Sequence, residues 1–325
     1  MTQKYYTSEE NCQILIALLK AHNIRKIIVS PGMTNICFVG SVQQDNFFEV
    51  YSSIDERAAG YMACGMAAES GEPVVLSCTG ATASRNYMPP LTEAFYRKLP
   101  VLAVTSTQHT GRVGTYIPQV TDRFNPPKDC VKISVQIPMI HDEDDRWAYT
   151  LKMNEALLEL THNGGGPAHI NLTTYYTSDF SVRFLPDVNV IKRFESCNKD
   201  LPELKADTVG IFVGAHTKWT DKLTALVDKF CEQYNAAVIT DHTGNYRGKY
   251  EIFPNLVPLT PRQGMDVMIH IGEVSGAYMS LRPKEVWRVS PDGFLRDPFK
   301  KLRYVFEMSE EEFFTRYVEL HTGGG

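Results

Sequence analysis

The 325-residue sequence has no long hydrophobic run, no closely spaced cysteine pair and no large excess of charge of one sign. No apolar stretch approaches the roughly 18 residues of a membrane-spanning helix, and the start M-T-Q-K-Y-Y-T-S-E-E has no signal-peptide pattern. The seven cysteines never form C-x-x-C, which favours reduced core residues. The net charge of -5 leaves no basic stripe for nucleic acid. We therefore expect a cytoplasmic protein that binds neither membranes nor nucleic acid.

What the sequence does have is the alternation of apolar strands and amphipathic helices along its whole length. This alternation predicts the α/β class, with two doubly wound parallel sheets. The length favours two domains. We predict a first domain over residues 1–180, a linker over 181–207, where periodicity is weak, and a Rossmann-like second domain with a smaller sheet over 208–325.

The most informative stretch runs from Val50 to Asn86. It predicts a short strand, a helix that opens with Asp55 and Glu56, a buried strand, and a glycine loop at Thr79 and Gly80. A carboxylate at the start of a helix is stabilised by the helix dipole. Small residues crowd this helix and indicate that another backbone lies close to it: Ala58, Ala59, Gly60, Ala63, Gly65, Ala67 and Ala68.

The letters D-E-R-A-A-G-Y-M-A-C-G-M-A, then P-V-V-L-S-C-T-G and Asn86, resemble the pyrimidine-binding domain of thiamine-diphosphate (ThDP) enzymes. The family is the acetolactate synthase-like one of decarboxylases and carboligases. The resemblance implies that Glu56 hydrogen-bonds the N1′ nitrogen of the cofactor's aminopyrimidine and activates the cofactor. The residues alone leave another interpretation open, in which Asp55 and Glu56 are ordinary acids of a helix's first turn.

Two loops add residues to this predicted cofactor site. The sequence S-P-G breaks the chain after a strand, at the edge where ligands approach open α/β sheets. The long polar stretch T-S-T-Q-H-T-G-R-V-G-T-Y-I-P-Q-V-T-D is typical of a functional loop, and relatives supply a glutamine there. The predicted cofactor-binding residues are Pro31, Gly32, Glu56, Thr79, Gly80, Asn86 and Gln119, and Glu56 is the predicted catalytic residue.

One branch of the family shares further motifs with the chain. The sequence W-R-V-S-P-D-G-F-L-R-D-P at 287–298 resembles the central domain of the 2-succinyl-5-enolpyruvyl-6-hydroxy-3-cyclohexene-1-carboxylate synthases. Those enzymes have Ser-Arg after S-P-G, where this chain has Met33 and Thr34, so the same substrate pair is not implied. Our candidate substrate contacts are Thr34, His109 and Arg112, although His109 also fits an ordinary surface loop.

The acidic run His141-Asp-Glu-Asp-Asp145 has the composition of a metal site. It directly precedes an amphipathic helix, and acids are favoured in a helix's first turn. We therefore predict that these acids cap the helix, and we predict no metal ligands in the chain.

Relatives hold the cofactor's diphosphate through magnesium, with a G-D-G motif and a later asparagine, and this chain has no G-D-G. A diphosphate needs a metal and backbone donors. We expect ThDP and Mg²⁺ as cofactors, with the Mg²⁺ ligands on a partner chain or a missing domain. The expected partners are a second copy of the chain, a diphosphate-binding subunit or domain, and a 2-oxo acid. The sequence does not decide between a natural subunit and part of a longer enzyme.

Two classes of function stay open. In the first, the chain is the pyrimidine-binding part of a ThDP-dependent 2-oxo acid decarboxylase or carboligase, in which Glu56 activates the cofactor. In the second, it is a non-catalytic subunit or nucleotide-binding module on the same fold, because one fold hosts many functions.

Overall fold

The computed structural model describes residues 5–256, 264–277 and 281–323. The chain divides into two compact units, Met1–Val190 and Ile191–Gly325. This boundary falls inside the segment 181–207 that the sequence predicted as a linker. Part of that segment, Lys192–Glu195, is a strand of the second sheet, so the segment is not a linker throughout.

The first unit is built on a six-stranded sheet in which every strand pair is parallel. Its spatial order is β2-β1-β3-β4-β6-β5. The strands are β1 (Lys26–Val29), β2 (Glu49–Ser52), β3 (Val74–Thr79), β4 (Val101–Thr107), β5 (Ile133–Ile137) and β6 (Ala168–Thr173), and the helices are α1 (Glu10–Ala21), α2 (Ile36–Gln43), α3 (Glu56–Ser70), α4 (Met88–Tyr96) and α5 (Glu143–Glu159).

Helices cover both faces of this sheet because alternate strand residues point to opposite sides. Ile27 and Val75 pack in one core with residues of α1, α2 and α5. Ile28 and Leu76 pack in a second core with residues of α3 and α4. This arrangement confirms the predicted doubly wound α/β fold.

The small residues of α3 allow α4 to pack close to it. A Cβ atom placed on Gly60 would lie 2.2 Å from Cγ of Pro90 in α4. Asp55 caps the start of α3 by accepting a hydrogen bond from the Ala58 backbone N–H at 2.7 Å. Gly71 ends the helix in the left-handed conformation, with φ of 67°.

The second unit contains a seven-stranded sheet among the residues described, with all pairs parallel. The expectation of a smaller second sheet is therefore wrong. The spatial order is β10-β9-β8-β11-β12-β13-β7. The strands are β7 (Lys192–Glu195), β8 (Val209–Val213), β9 (Ala236–Thr240), β10 (Glu251–Ile252), β11 (Gly264–Ile271), β12 (Arg282–Val289) and β13 (Leu302–Glu307), and the helices are α6 (Asp221–Tyr234) and α7 (Glu310–Gly323).

All seven cysteines are free thiols, and six of them are buried, as the sequence predicted. The exception is Cys197, which is exposed. Within the described ranges, no helix is both long enough and apolar enough to cross a membrane.

Candidate active site

The loop after β1 approaches the end of β3 closely. A Cβ atom on Gly32 would lie only 1.9 Å from Cγ2 of Thr79, so a residue with a side chain does not fit there without movement. Asn35 holds the turn by accepting from the Gly32 N–H at 2.9 Å and donating to the Ser30 carbonyl at 3.2 Å. The structure thus brings together the predicted residues Pro31 and Gly32 with Thr79.

Thr34 links this loop to two others. Its hydroxyl donates to the Ser106 carbonyl at 3.2 Å and lies 3.3 Å from the Gly80 N–H, which donates to it. Its own carbonyl accepts from the Thr174 hydroxyl at 2.7 Å. Thr34 is buried, and the one proton of its hydroxyl is already donated. It is therefore a structural link between loops, and its role as a substrate contact stays a prediction.

Glu56 lies in the first turn of α3, one residue after the cap residue Asp55. Its Oε2 atom accepts a hydrogen bond from Nδ2 of Asn86 at 3.3 Å. Asn86 belongs to a short 3₁₀ helix, Ala83–Tyr87, that follows the Thr79–Gly80 loop. Glu56 is half-buried and forms no salt bridge within the described part of the chain. The two predicted residues thus meet, although thirty positions separate them.

The charge of Glu56 is felt by two buried groups beneath it. Burial, with a smaller contribution from the Glu56 carboxylate, raises the pKa of the Cys78 thiol to about 12. Burial also raises the pKa of Tyr87 well above its usual value, with the Cys78 and Glu56 charges acting in the same direction. The Cys78 thiol and the Tyr87 hydroxyl are therefore both neutral and do not neutralise the Glu56 carboxylate.

The other three predicted residues lie on the loop after β4 and make only local contacts. Nδ1 of His109 accepts from the Gly111 N–H at 3.0 Å, and Nη1 of Arg112 donates to Gln108 at 2.6 Å. Gln119 has a left-handed backbone with φ of 65°, a conformation that costs energy for a residue other than glycine. All three side chains are exposed. No contact joins them to Glu56 among the residues that the structure describes, so their roles stay predictions.

Arg123 is a buried residue of the site that the sequence analysis missed. Its terminal nitrogens lie 3.0 Å from the position of a Cβ on Gly80, and its Nε donates to Oδ1 of Asn171 at 3.1 Å. Burial lowers its pKa to about 10, so it stays charged at neutral pH. Arg123 and His169 also line a cavity of about 10 Å³, which is room for about one water molecule. No sequence signal marked Arg123, because its partners come from distant strands.

The acidic run before α5 caps that helix, as predicted. The Asp142 side chain accepts from the Asp145 N–H at 2.8 Å. The Asp145 side chain accepts in turn from the His141 N–H at 3.0 Å. Asp142 and Asp145 therefore serve to cap the start of α5.

The fold and these loops define a class of protein: a doubly wound α/β unit with a carboxylate in the first turn of a helix at the ligand-binding edge of its sheet. The sequence also matches a model of a known protein family. Residues 11–125 match the family model described as thiamine pyrophosphate enzyme, N-terminal TPP binding domain. All the predicted site residues, from Pro31 to Gln119, lie within the matched range.

Among curated proteins, the chain is similar to particular enzymes. The chain is 29% identical to the 2-succinyl-5-enolpyruvyl-6-hydroxy-3-cyclohexene-1-carboxylate synthase of Phocaeicola vulgatus, over 97% of this chain and 60% of that protein. It is 30% identical to the synthase of Bacteroides fragilis strain ATCC 25285, over 97% of this chain and 61% of that protein. The chain thus spans about three fifths of the length of these relatives. These findings confirm the predicted resemblance to ThDP-dependent enzymes of this synthase type.

Proposed function

We propose that the first unit binds the aminopyrimidine of ThDP and that Glu56 activates the cofactor, within a ThDP-dependent 2-oxo acid decarboxylase or carboligase. The observation that carries the proposal is the Glu56 carboxylate itself. It lies in the first turn of α3, contacts Asn86 and has no cationic partner within the described ranges. A carboxylate that is held in place but not neutralised can accept a hydrogen bond from a ring nitrogen.

The neighbours of Glu56 suit this task. When bound, ThDP would supply the electron sink that takes up the electron pair left when a 2-oxo acid loses carbon dioxide. Asn86 orients Oε2 of Glu56, which leaves Oε1 to hold a proton shared with the ring. The peptide dipoles at the start of α3 favour the charged carboxylate, whereas the neutral groups beneath it provide no competing cation.

The glycine loops would hold the flat ring from the side of the sheet. Gly32 and Gly80 let the two loops pack against Thr79 and Arg123, and we propose that the backbones of Pro31–Gly32 and Thr79–Gly80 contact the ring. Arg123 supports the second of these loops from behind, at 3.0 Å from the Cβ position of Gly80. We propose Gln119 as a further cofactor contact from the loop after β4.

The remaining parts of the reaction need groups that this sequence does not provide. We propose that residues outside these 325 positions hold the diphosphate and Mg²⁺, and that the complete site forms in an oligomer. The relatives are named for a product that carries a carboxylate, and we propose a 2-oxo acid as substrate here. His109 and Arg112 are the proposed contacts for its acidic group, since Met33 and Thr34 stand where the synthases have Ser-Arg.

The test is the pair of variants Glu56→Gln and Asp55→Asn, in the complete assembly with its diphosphate-binding partner. Glutamine keeps the size of Glu56 but cannot take up a proton. We expect hydrogen–deuterium exchange at the thiazolium carbon of bound ThDP to slow by ~10²- to 10⁴-fold. The affinity for ThDP should change by less than about tenfold, or ~1.4 kcal/mol.

Asp55→Asn is the matched control. The change is chemically the same, but Asp55 caps α3, and asparagine is as good a cap as aspartate. We expect nearly unchanged exchange in this variant. Equal exchange rates in the wild type and Glu56→Gln would contradict the proposed mechanism and favour the alternative, a non-catalytic or nucleotide-binding role for the same fold.

A further inference from the structure

The second unit contains a cavity of about 340 Å³ at the carboxyl ends of β11 and β12. Along the chain, the strands β8, β9 and β10 extend to one side of the sheet, and β11, β12 and β13 extend to the other. The cavity lies beside this reversal, which is where open α/β sheets bind ligands. Its volume is within the ~300–1,000 Å³ range of small-molecule sites. Its walls are Phe212, His270, Gly272, Glu273, Val274, Ser275, Arg288, Arg296 and Pro298.

Arg288 lines the cavity with one edge of its guanidinium unpaired. The residue is 1% exposed, and its Nη1 donates to the Gly272 carbonyl. Its buried Nε has no hydrogen-bond partner in the described part of the chain. Its Nη2 lies 3.7 Å from Oε1 of Glu273, which is too long for a hydrogen bond. Nε and Nη2 share one edge of the guanidinium, the geometry that binds a carboxylate or phosphate through two hydrogen bonds.

The other charges around the cavity compensate this arginine only in part, because burial and Arg296 oppose its charged form, whereas Glu273, Asp292 and Glu310 favour it. The Glu273 side chain is 62% exposed, so water screens its attraction to Arg288. Arg296 is paired with Asp292 at 2.7 Å. Burial lowers the pKa of His270 to about 3, with Arg288 and Arg296 acting in the same direction, so this histidine is neutral. A buried cation with unpaired donors is costly, and an anion in the cavity would remove that cost.

The apolar part of the wall suits an organic body rather than a bare ion. Phe212 is buried, and its ring centre lies 5.3 Å from that of His270. Pro298 adds a further apolar surface. The cavity therefore combines a few charged and polar side chains with apolar surface, which is the usual composition of a small-molecule site.

We propose that this cavity binds a small organic anion, whose carboxylate or phosphate accepts hydrogen bonds from the Nε and Nη2 edge of Arg288 and whose body lies against Phe212 and Pro298. All the residues that line the cavity belong to the second unit. The proposal therefore does not rest on the proposed cofactor chemistry.

The proposal can be tested by titrating the chain with benzoate, AMP and inorganic phosphate. Calorimetry measures the affinity, and NMR follows the Nε–H resonance of Arg288. We expect benzoate or AMP to bind with micromolar to millimolar affinity and to shift this resonance, and inorganic phosphate to bind more weakly than the better of the two. Stronger binding of AMP would identify a phosphate ligand, and stronger binding of benzoate a carboxylate ligand.

Variants at the rim test the location without disturbing the core. Val274 is 89% exposed and lines the cavity, so Val274→Asp should fold normally and place a negative charge at the opening. We expect it to weaken organic-anion binding by about tenfold or more, whereas the neutral Val274→Asn changes it by less than about threefold.

Arg288→Lys keeps the charge but loses the two-donor edge, and we expect a loss of binding of about tenfold or more. Arg247→Lys, at an exposed arginine outside the cavity, is the control and should have no effect. Three results would overturn the proposal: no binding of either organic anion at millimolar concentrations, binding of inorganic phosphate alone, or binding that Val274→Asp leaves unchanged.

Discussion

Single residues behind the Thr79–Gly80 loop form a buried polar network. Oδ1 of Asn171 accepts from Arg123 and from the Thr105 hydroxyl, both at 3.1 Å. Because Thr105 donates to Asn171, its oxygen accepts from Nε2 of His169, 2.8 Å away. Nδ1 of His169 then accepts from the Ser134 hydroxyl at 2.8 Å. Burial, with a smaller contribution from the Arg123 charge, lowers the pKa of His169 to about 3. The histidine inside this network is therefore neutral at physiological pH.

This neutral histidine should make the protein sensitive to acid. The unfolded chain binds a proton at His169 near pH 6.5, whereas the folded chain does so only near pH 3. Stability is therefore full above pH 6.5 and falls as the pH decreases toward 3, by ~1.4 kcal/mol per pH unit for one histidine. Denaturant unfolding of the wild type and His169→Gln at pH 7 and pH 5.5 is the measurement.

We expect the free energy of unfolding of His169→Gln to depend less steeply on pH than that of the wild type. The stability difference between the two proteins should therefore shrink toward pH 5.5. His109→Gln, at an exposed histidine, is the control and should follow the wild type. Parallel pH profiles for the wild type and His169→Gln would show that His169 is not the group responsible.

At the scale of elements, the close packing of α3 against α4 depends on a glycine. Gly60 has no room for a Cβ because Pro90 would lie 2.2 Å away, whereas a Cβ on Gly65 would meet nothing within 4 Å. We expect Gly60→Ala to destabilise the unit by ~1–3 kcal/mol through overpacking. Gly65→Ala should stabilise it by ~0.5–1 kcal/mol, since alanine favours the helix. Chemical unfolding, with the oligomeric state monitored by light scattering, would measure both changes. The same sign for both variants would contradict this account of the packing.

Two strands, β5 and β7, were not predicted from the sequence. β5 was not predicted, although its residues I-S-V-Q-I alternate apolar and polar as a half-buried strand does. Ser134 and Gln136 contact the polar network, and Val135 and Ile137 pack in the core. β7, four residues at the edge of the second sheet, lay in the predicted linker. Its pairing with β13 joins residues more than a hundred positions apart, and no local pattern can show such a pairing.

At the scale of the whole molecule, exposed apolar side chains near Glu56 favour self-association. Ile54 is 92% exposed, and Tyr61 and Met62 on α3 are also exposed. Apolar groups clustered at a surface favour a protein partner. We predict that the chain forms at least a homodimer through this surface. We expect Ile54→Lys to weaken the affinity between the two copies by about tenfold or more. Leu256→Lys, at an apolar residue that is 81% exposed in the second unit, is the control. Light scattering across a wide range of protein concentrations would measure the oligomeric state of the wild type and both variants. A wild type that is monomeric at every concentration would contradict the prediction.

The cofactor prediction also concerns the whole molecule. A diphosphate needs a cation and several backbone donors, and the proposed site in this chain contacts only the aminopyrimidine. We expect the chain alone to bind ThDP and Mg²⁺ more weakly than micromolar affinity, and binding to tighten when a diphosphate-binding partner is added. Calorimetry on the chain alone is the measurement. Micromolar binding without a partner would show that the chain holds the diphosphate itself.

The sequence by itself determined the class of fold, the order of most strands and helices, and the place of Glu56 at the start of α3. Those features follow from local properties: apolar periodicity, capping residues such as Asp55, and glycine turns. The tertiary structure alone decided that Asn86 meets Glu56, that Arg123 lies behind Gly80, and that one edge of Arg288 has no acceptor among the residues described. These depend on which distant segments become neighbours when the sheets form. A side chain's burial and hydrogen-bond partners are set by those neighbours, and its own sequence context does not contain them.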